Sequence, residues 1–359
     1  MDKKRVCIVG ATGSVGQEFI QSLENHPWFE VTQIAASAKS AGKNYLDAIK
    51  NSDGVIAWEV DGVIPSYVKS MTVKSVDEID VSKLDLIFSA VESEAARNIE
   101  TKFAAVLPVI STSSAYRYEN DVPILIPGIN DDHADLLDVQ KRNHSWKGWV
   151  APLPNCTTTG LAITLKPLYE KYGAKKVMMT SMQAISGGGR SPGVSAMQIN
   201  DNIVPYIVNE EDKVRTETRK ILGKLEEDHI KDADIRVSST CTRVPVIDGH
   251  TESVFVETEL DIDLVKAGEL YAKENKDISV AGLPSAPKNY YAFHTDPSRP
   301  QPRLERNVGD GMTTTIGRVE REELFEHGLK YVLFSHNKKM GSAKGAVLLA
   351  EMLLEKGKI

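Results

Sequence analysis

A cysteine at position 156 stands in the stretch PLPNCTTTGLAITLKPLYEK, behind a proline and among small polar residues. Structural cysteines of a core usually have bulkier apolar neighbours. A thiol where a helix begins instead has the setting that lowers a thiol pKa, because the first backbone amides point toward it. Cys156 is therefore read as a nucleophile whose thiolate those amides stabilise. Such a thiolate attacks an activated acyl group to form a thioester, which a hydride then reduces to an aldehyde. That chemistry needs a proton shuttle near the sulfur and cations for an anionic substrate. The segment CTRVPVIDGHTESVFVE supplies Arg243, whose fork suits a carboxylate, and His250, whose ordinary pKa of about 6.5 suits proton transfer. Taken alone, His250 also fits a structural histidine in a turn. Gln183, in SMQAISGGGRSPG, ends a strand just before a glycine-rich loop, where a polar side chain would face a cleft.

The hydride source is read from the N-terminus. A short apolar strand runs into VGATGSVG, placing Gly10, Thr12, Gly13, Ser14, Val15 and Gly16 at a strand-to-helix turn. Glycines there permit the tight turn and let backbone amides approach a pyrophosphate at the helix N-terminus. The spacing is GxxGxxG, so the position after a first strand, rather than the pattern alone, points to dinucleotide binding. An ordinary βα turn is the plainer alternative. After the second strand the chain reads ASAKSAGKNY, with Ser37, Lys39 and Ser40 and no carboxylate to meet a ribose 2′-hydroxyl. Hydroxyls and a cation suit a 2′-phosphate, so NADP is expected over NAD.

These residues need a scaffold, and the pattern predicts one. Strands are expected at Arg5–Val9, Val31–Ser37, Leu84–Ala90 and Val109–Thr112, and helices at Ser14–Asn25 and Glu94–Val106. That alternation reads as βαβ units and a largely parallel sheet. Near Gly148 the character changes to longer, partly alternating strands (KKVMMTSMQAIS, IRVSSTCTRVPV, HTESVFVETELD), which predict a mixed or antiparallel sheet in a second domain. KGAVLLAEMLLEKG reads as a terminal amphipathic helix.

Composition narrows the functional classes. The chain has 359 residues, 41% hydrophobic and 26% charged, with a formal net charge of −7. This acidic balance argues against binding nucleic acid through its phosphates. No apolar run reaches the roughly 18 residues of a membrane span, and the start MDKKRVCIVG shows no signal peptide. Three cysteines make no disulfide framework, so a cytoplasmic α/β protein is expected. Cys7 reads as core, Cys241 has no motif role, and no Cys/His spacing predicts a metal.

Taken in order, GATGSVG, PNCTT, MQAISGGGRSPG and TRVPVIDGH resemble the aspartate-semialdehyde dehydrogenase family, in its archaeal and fungal type, over essentially the whole chain. The resemblance implies a Rossmann-type domain at 1–150 closed by 337–359, and a catalytic and dimerisation domain at 151–336. It implies NADP(H)-dependent interconversion of aspartyl β-phosphate and aspartate semialdehyde, a step toward lysine, threonine and methionine, by a homodimer or homotetramer. In that scheme Cys156 is the nucleophile, Asn155 its partner in PNC, Gln183 a residue placing substrate and thiol, and His250 the acid/base. Arg243 would hold the carboxylate, Glu210 the ammonium, and Lys213 and Arg117 the phosphate. Asn337 would contact the nicotinamide carboxamide beside the loop Ser186, Gly187 and Gly188, where SGGG replaces the more usual SGAG. Thr157 stands where serine is more usual. For Glu210 and Lys213 an exposed i,i+3 pair is the plainer alternative. Reductases of malonyl-CoA or succinyl-CoA share the machinery, but their acyl-CoA substrates carry no ammonium for Glu210. An N-acetylglutamyl phosphate reductase would leave Glu210 equally unmatched. A non-catalytic NADP-binding regulator would need only the glycine loop and not the Cys, Gln, Arg and His set.

Overall fold

The computed structural model of the chain describes residues 2–189 and 195–359. A first sheet is built from β1 (Lys4–Val9), β2 (Phe29–Ala35), β3 (Val73–Lys74), β4 (Leu86–Ser89), β5 (Val109–Ser111) and β6 (Val150–Pro152). Its order is β3-β2-β1-β4-β5-β6, with every neighbouring pair parallel. Strand order reverses at β1, so the crevice at its C-terminal end is the switch point where such sheets receive ligands. The apolar strands are covered on both faces, and all of β4 is buried. Helices α1 (Ser14–Ser22), α2 (Ser93–Ala104) and α3 (Leu136–His144) belong to this part. α1 stops short of the expected Asn25, which adopts a left-handed φ of 54°. The second strand ends at Ala35, which frees Ser37 into the following loop.

β6 continues through Pro152, and four residues later the chain enters α4 (Cys156–Tyr172). The nucleophile candidate thus sits where the polypeptide leaves the first sheet. A second sheet follows: β7 (Ala174–Gln183), then helix α5 (Glu210–Ile221), a small ribbon of β8 (Lys224–Leu225) and β9 (Ile230–Lys231), and strands β10 (Arg236–Arg243) and β11 (His250–Thr258). Helix α6 (Leu264–Asp277), β12 (Tyr291–Phe293), β13 (Thr314–Glu322), β14 (Gly328–Ser335) and α7 (Ala343–Glu355) complete it. The order is β10-β7-β11-β14-β13-β12, and the sheet is mixed as expected: β10–β7 and β12–β13 are parallel, the other pairs antiparallel. β11 alternates buried and half-buried residues, so His250, Glu252, Val254 and Val256 share its buried face.

α7 departs from expectation. Rather than showing a polar face to water, it is buried from Ala343 to Leu353 apart from Lys344, because it lies against α1 and β5. Its buried acid, Glu351, is matched. His26 Nε2 lies 2.8 Å from Glu351 Oε1, and the Ser285 amide donates to both carboxylate oxygens at 3.1 and 3.0 Å. His26 Nδ1 accepts from the Trp28 and Phe29 amides, so its proton sits on Nε2 and points at Glu351.

Candidate active site

Helix α4 begins in the cleft with Cys156 as its first residue and Asn155 as its cap. The Asn155 side-chain oxygen accepts from the amides of Thr157 and Thr158 at 3.0 and 3.2 Å. Those are the amides expected to stabilise a thiolate, and the cap takes most of their strength. Burial, then the nearby Glu210 carboxylate, push the thiol pKa up to about 12, outweighing Arg243, Arg117 and the Thr157 amide. That direction runs against the lowered thiol pKa read from the sequence.

β11 brings His250 to the sulfur, with Nε2 3.2 Å from Cys156 Sγ. The ring is fully buried, and its other nitrogen, Nδ1, accepts the Ala184 amide at 3.1 Å. An acceptor at Nδ1 places the ring proton on Nε2, facing sulfur. Burial first, then the positive charges of Arg243 and His336, hold its pKa down to about 3, against the Gly249 carbonyl and Asp248. The pair is therefore thiol and neutral imidazole. Arg243, at the end of β10, is anchored by Nη1 to the Ala184 carbonyl at 2.7 Å and reaches the cleft wall. Gln183 lies beside it in register on β7. It was expected at the cleft wall but is buried, bonded to Ser181 and accepting from Arg243 at 3.4 Å; the two share a sheet face, and the longer Arg243 side chain is the one that lines the cleft. Gly187 passes so close that a Cβ would lie 3.0 Å from both Arg243 and His250.

Across the cleft, of about 490 Å³, stand Arg117, Lys213, Glu210 and Ser114. Glu210 is buried rather than part of an exposed pair: it accepts from Asn155 Nδ2 at 2.8 Å, with Lys213 at 3.5 Å. Asn155 thus lines the cleft while bonded to protein on both sides of its amide. Arg117 donates to Glu217 at 3.0 Å and to the Thr112 carbonyl at 3.0 Å, leaving Nε without a protein partner. Glu217, fully buried, also accepts from the Asn155 amide at 2.6 Å and the Tyr118 hydroxyl at 3.1 Å. One carboxylate therefore fixes both the guanidinium and the residue that starts α4. Sequence reading missed Glu217, although it lies seven residues after Glu210 on the same helical face.

Val15 from the glycine turn, Ser186, Gly187, Gly188 and Asn337 line the same cleft. Asn337 accepts from the Gly249 amide at 2.8 Å and donates to Ser186 at 3.0 Å. The rest of the SGGGRSPG loop, Arg190–Gly193, lies outside the described residues. In the turn, Gly10 has φ of +86° and a Cβ there would sit 2.4 Å from the Ala90 carbonyl. Gly13 caps α1 with no side-chain bond, which leaves the first-turn amides open to a ligand, with Ser14 opening the helix. Beyond it a second cleft is lined by Thr12, Ser37, Lys39, Ser40, Lys43 and Lys50, among others. Open amides leading to a lysine-rich pocket fit a dinucleotide with an added phosphate. Among the described residues, no group of three or more possible ligands could hold a metal, and no helix is long and apolar enough to cross a membrane.

A switch-point crevice that leads from a glycine turn to a thiol and an imidazole defines a class: a dinucleotide-dependent dehydrogenase with a cysteine at its centre. The chain belongs to the semialdehyde dehydrogenase family, whose NAD-binding domain matches residues 5–137 and whose dimerisation domain matches 165–338. It is 43% identical to the aspartate-semialdehyde dehydrogenase of Methanothermobacter thermautotrophicus, over 98% of this chain and 99% of that one. It is 39% identical to that of Saccharomyces cerevisiae, over 99% of each. The crystal structure of the Candida albicans aspartate-semialdehyde dehydrogenase with NADP superposes with a TM-score of 0.87 at 36% identity, covering 99% of this chain and 100% of that one.

Proposed function

We propose that this protein is an NADP-dependent aspartate-semialdehyde dehydrogenase that interconverts aspartyl β-phosphate and aspartate semialdehyde through a thioester on Cys156. The observation that carries the reading is the Cys156–His250 contact of 3.2 Å at a cleft flanked by cations and one buried acid. Arg243 would hold the substrate carboxylate and Glu210 its ammonium. Arg117 and Lys213, which line the same cleft, would hold the phosphate. Held at four points, the acyl carbon meets the sulfur in attack geometry. Arg117 and Lys213 then stabilise the departing phosphate, and His250 presents a ring nitrogen to the sulfur and to the oxygen beside it. Thr12, Ser37, Lys39 and Ser40 would hold the adenosine end of NADP(H), and Asn337, Ser186 and Gly187 its nicotinamide end. When bound, NADP(H) supplies or accepts the hydride.

The relatives' names and the NADP of the Candida albicans structure support the substrate and cofactor. The matched dimerisation domain supports a homodimer, and the net charge of −7 and three cysteines suit a cytoplasmic enzyme in amino-acid biosynthesis. The test is phosphate-dependent reduction of NADP by aspartate semialdehyde, run beside NADPH oxidation with malonyl-CoA and succinyl-CoA. Activity with the semialdehyde alone, lost roughly 10⁴-fold or more in Cys156→Ala, is the expected result. Preference for a CoA thioester would overturn the substrate assignment and the role of Glu210.

A further inference from the structure

Glu210, Lys213, Glu217 and Lys220 recur along α5 at steps of three, four and three residues, which puts them on one face of the helix. Glu210 and Lys213 line the cleft, whereas Glu217 and Lys220 lie further along, both buried. The Lys220 ammonium donates to the carbonyl of Arg117 at 2.9 Å and to that of Glu119 at 2.7 Å. One turn earlier, Glu217 takes the Arg117 guanidinium at 3.0 Å. A single helix therefore holds Arg117 by its backbone as well as by its side chain.

The backbone hold matters because Arg117 sits on irregular chain. After Ser111 the segment up to Glu119 is a string of bends and turns. The Arg117 amide closes one turn on the Ser114 carbonyl at 3.3 Å, and the Glu119 amide another on the Tyr116 carbonyl at 3.2 Å. Such turns fix the shape of the loop but not its place against α5, which carries the other cation, Lys213. A buried ammonium is costly to keep, and an apolar side chain would fill the same space. Burial holds the Lys220 pKa down to about 8, against the carboxylates of Asp232, Asp121, Glu119 and Glu217. The group is thus charged at neutrality, and its bonds to the two carbonyls are charge-assisted. Resting on the function proposed above, we propose that Lys220 is a positioning residue for phosphate. By gripping the loop backbone from the helix that bears Lys213, it sets the spacing of the two cations, Arg117 and Lys213, that receive the substrate's phosphate. Lys220 does not line the cleft, so it acts through Arg117.

The test is steady-state kinetics of the intact enzyme with inorganic phosphate, NADP and aspartate semialdehyde each varied in turn. Lys220→Met keeps the length of the side chain and removes its charge and donors. It should raise the KM for phosphate roughly 10-fold or more, as expected for the loss of charge-assisted bonds. The KM for NADP and the KM for aspartate semialdehyde should stay where they are. A lysine that merely supports the fold would lower the melting temperature and the yield of active enzyme with the phosphate KM unmoved, and that result overturns the proposal. Where Lys220→Met does not fold, Lys220→Gln carries the same comparison with neutral, shorter donors, and an unmoved phosphate KM there overturns it equally. A double-mutant cycle tests the route through Arg117. In an Arg117→Ala background, adding Lys220→Met should cost no further kcat/KM for phosphate. A second loss as large as the first would mean that Lys220 acts on phosphate without Arg117, and the positioning role falls. Wild-type enzyme that reduces NADP without phosphate sinks the assigned reaction and this role with it. Phosphate-dependent wild type beside an unaltered Lys220→Met sinks this role alone.

Discussion

At the cofactor end the chain works largely with backbone. Gly10, Gly13 and the first turn of α1 leave amides open at the switch point, and beyond them stand exposed lysines with the hydroxyls of Thr12, Ser37 and the buried Ser40. At the reacting end it works with buried side chains drawn from α4, α5, β10, β11 and the loop after β5. There each polar group leans on another: Glu217 on Arg117, Asn155 on Glu210, Ala184 on both Arg243 and His250. A site made of backbone fails through steric contact at a few glycines. A site made of interlocked side chains fails through loss of any one charge, even a charge that touches no substrate.

The sharpest break should come from Gly16→Ala. A Cβ there would sit 2.2 Å from the Gly10 carbonyl and 2.7 Å from Ala11 Cα, both backbone atoms of the turn itself. Folded yield and NADP binding, read by calorimetry, should both collapse. Gly13→Ala is the matched control, because its Cβ would meet only the Gly10 carbonyl at an ordinary 3.6 Å and its φ of −80° suits any residue. It should melt like the wild type, and weakened cofactor binding there would report the ligand alone.

Glu217→Gln tests the other construction. With a buried charge-assisted contact weakened, kcat/KM should fall roughly 10- to 100-fold. The loss should appear as a raised KM for phosphate, with the KM for NADP and the melting temperature nearly unchanged. A uniform loss in every parameter would make Glu217 a stability residue instead.

The smallest effect concerns Glu252, two residues along β11 from His250, fully buried and with no protein partner for either oxygen. Burial and Glu210 raise its pKa well above the ordinary 4.5. A raised carboxyl stabilises the fold fully below that ordinary value, and the contribution is lost as pH rises toward the folded pKa. Glu252→Gln should therefore raise the melting temperature at neutral pH by a few degrees (about 2–4 °C per kcal/mol), and the gain should vanish below pH 4.5. A gain that persists in acid would mean the charge is not its cause.

The same contrast explains what can be read without coordinates. VGATGSVG announces its turn because glycine spacing is a backbone property, and strand alternation in HTESVFVETELD places His250 on a buried face. PNCTT locates the candidate nucleophile, but the direction of its pKa depends on burial and on Glu210, neither of which is written in spacing. Gln183 and Arg243 lie 60 residues apart on neighbouring strands and pair in register on one sheet face, so that they meet at all is legible only in the fold. Glu217 is hidden for a further reason: within EEDKVRTETRKIL it looks like one more solvated charge, and only the loops arriving from Arg117 and Asn155 make it a hub.

The tie between His26 and Glu351 also orders events in time. During synthesis the parallel sheet emerges first, yet the helix that covers α1 and β5 begins only at Ala343, long after β6 ends at Pro152. Until then its docking surface is bare and His26 Nε2 lacks its acceptor. At roughly 5–20 residues per second, that interval lasts tens of seconds for a chain of 359 residues. Asn337, which lines the cleft beside Cys156, arrives just ahead of that helix, so the cleft and the cover of the parallel sheet are completed together.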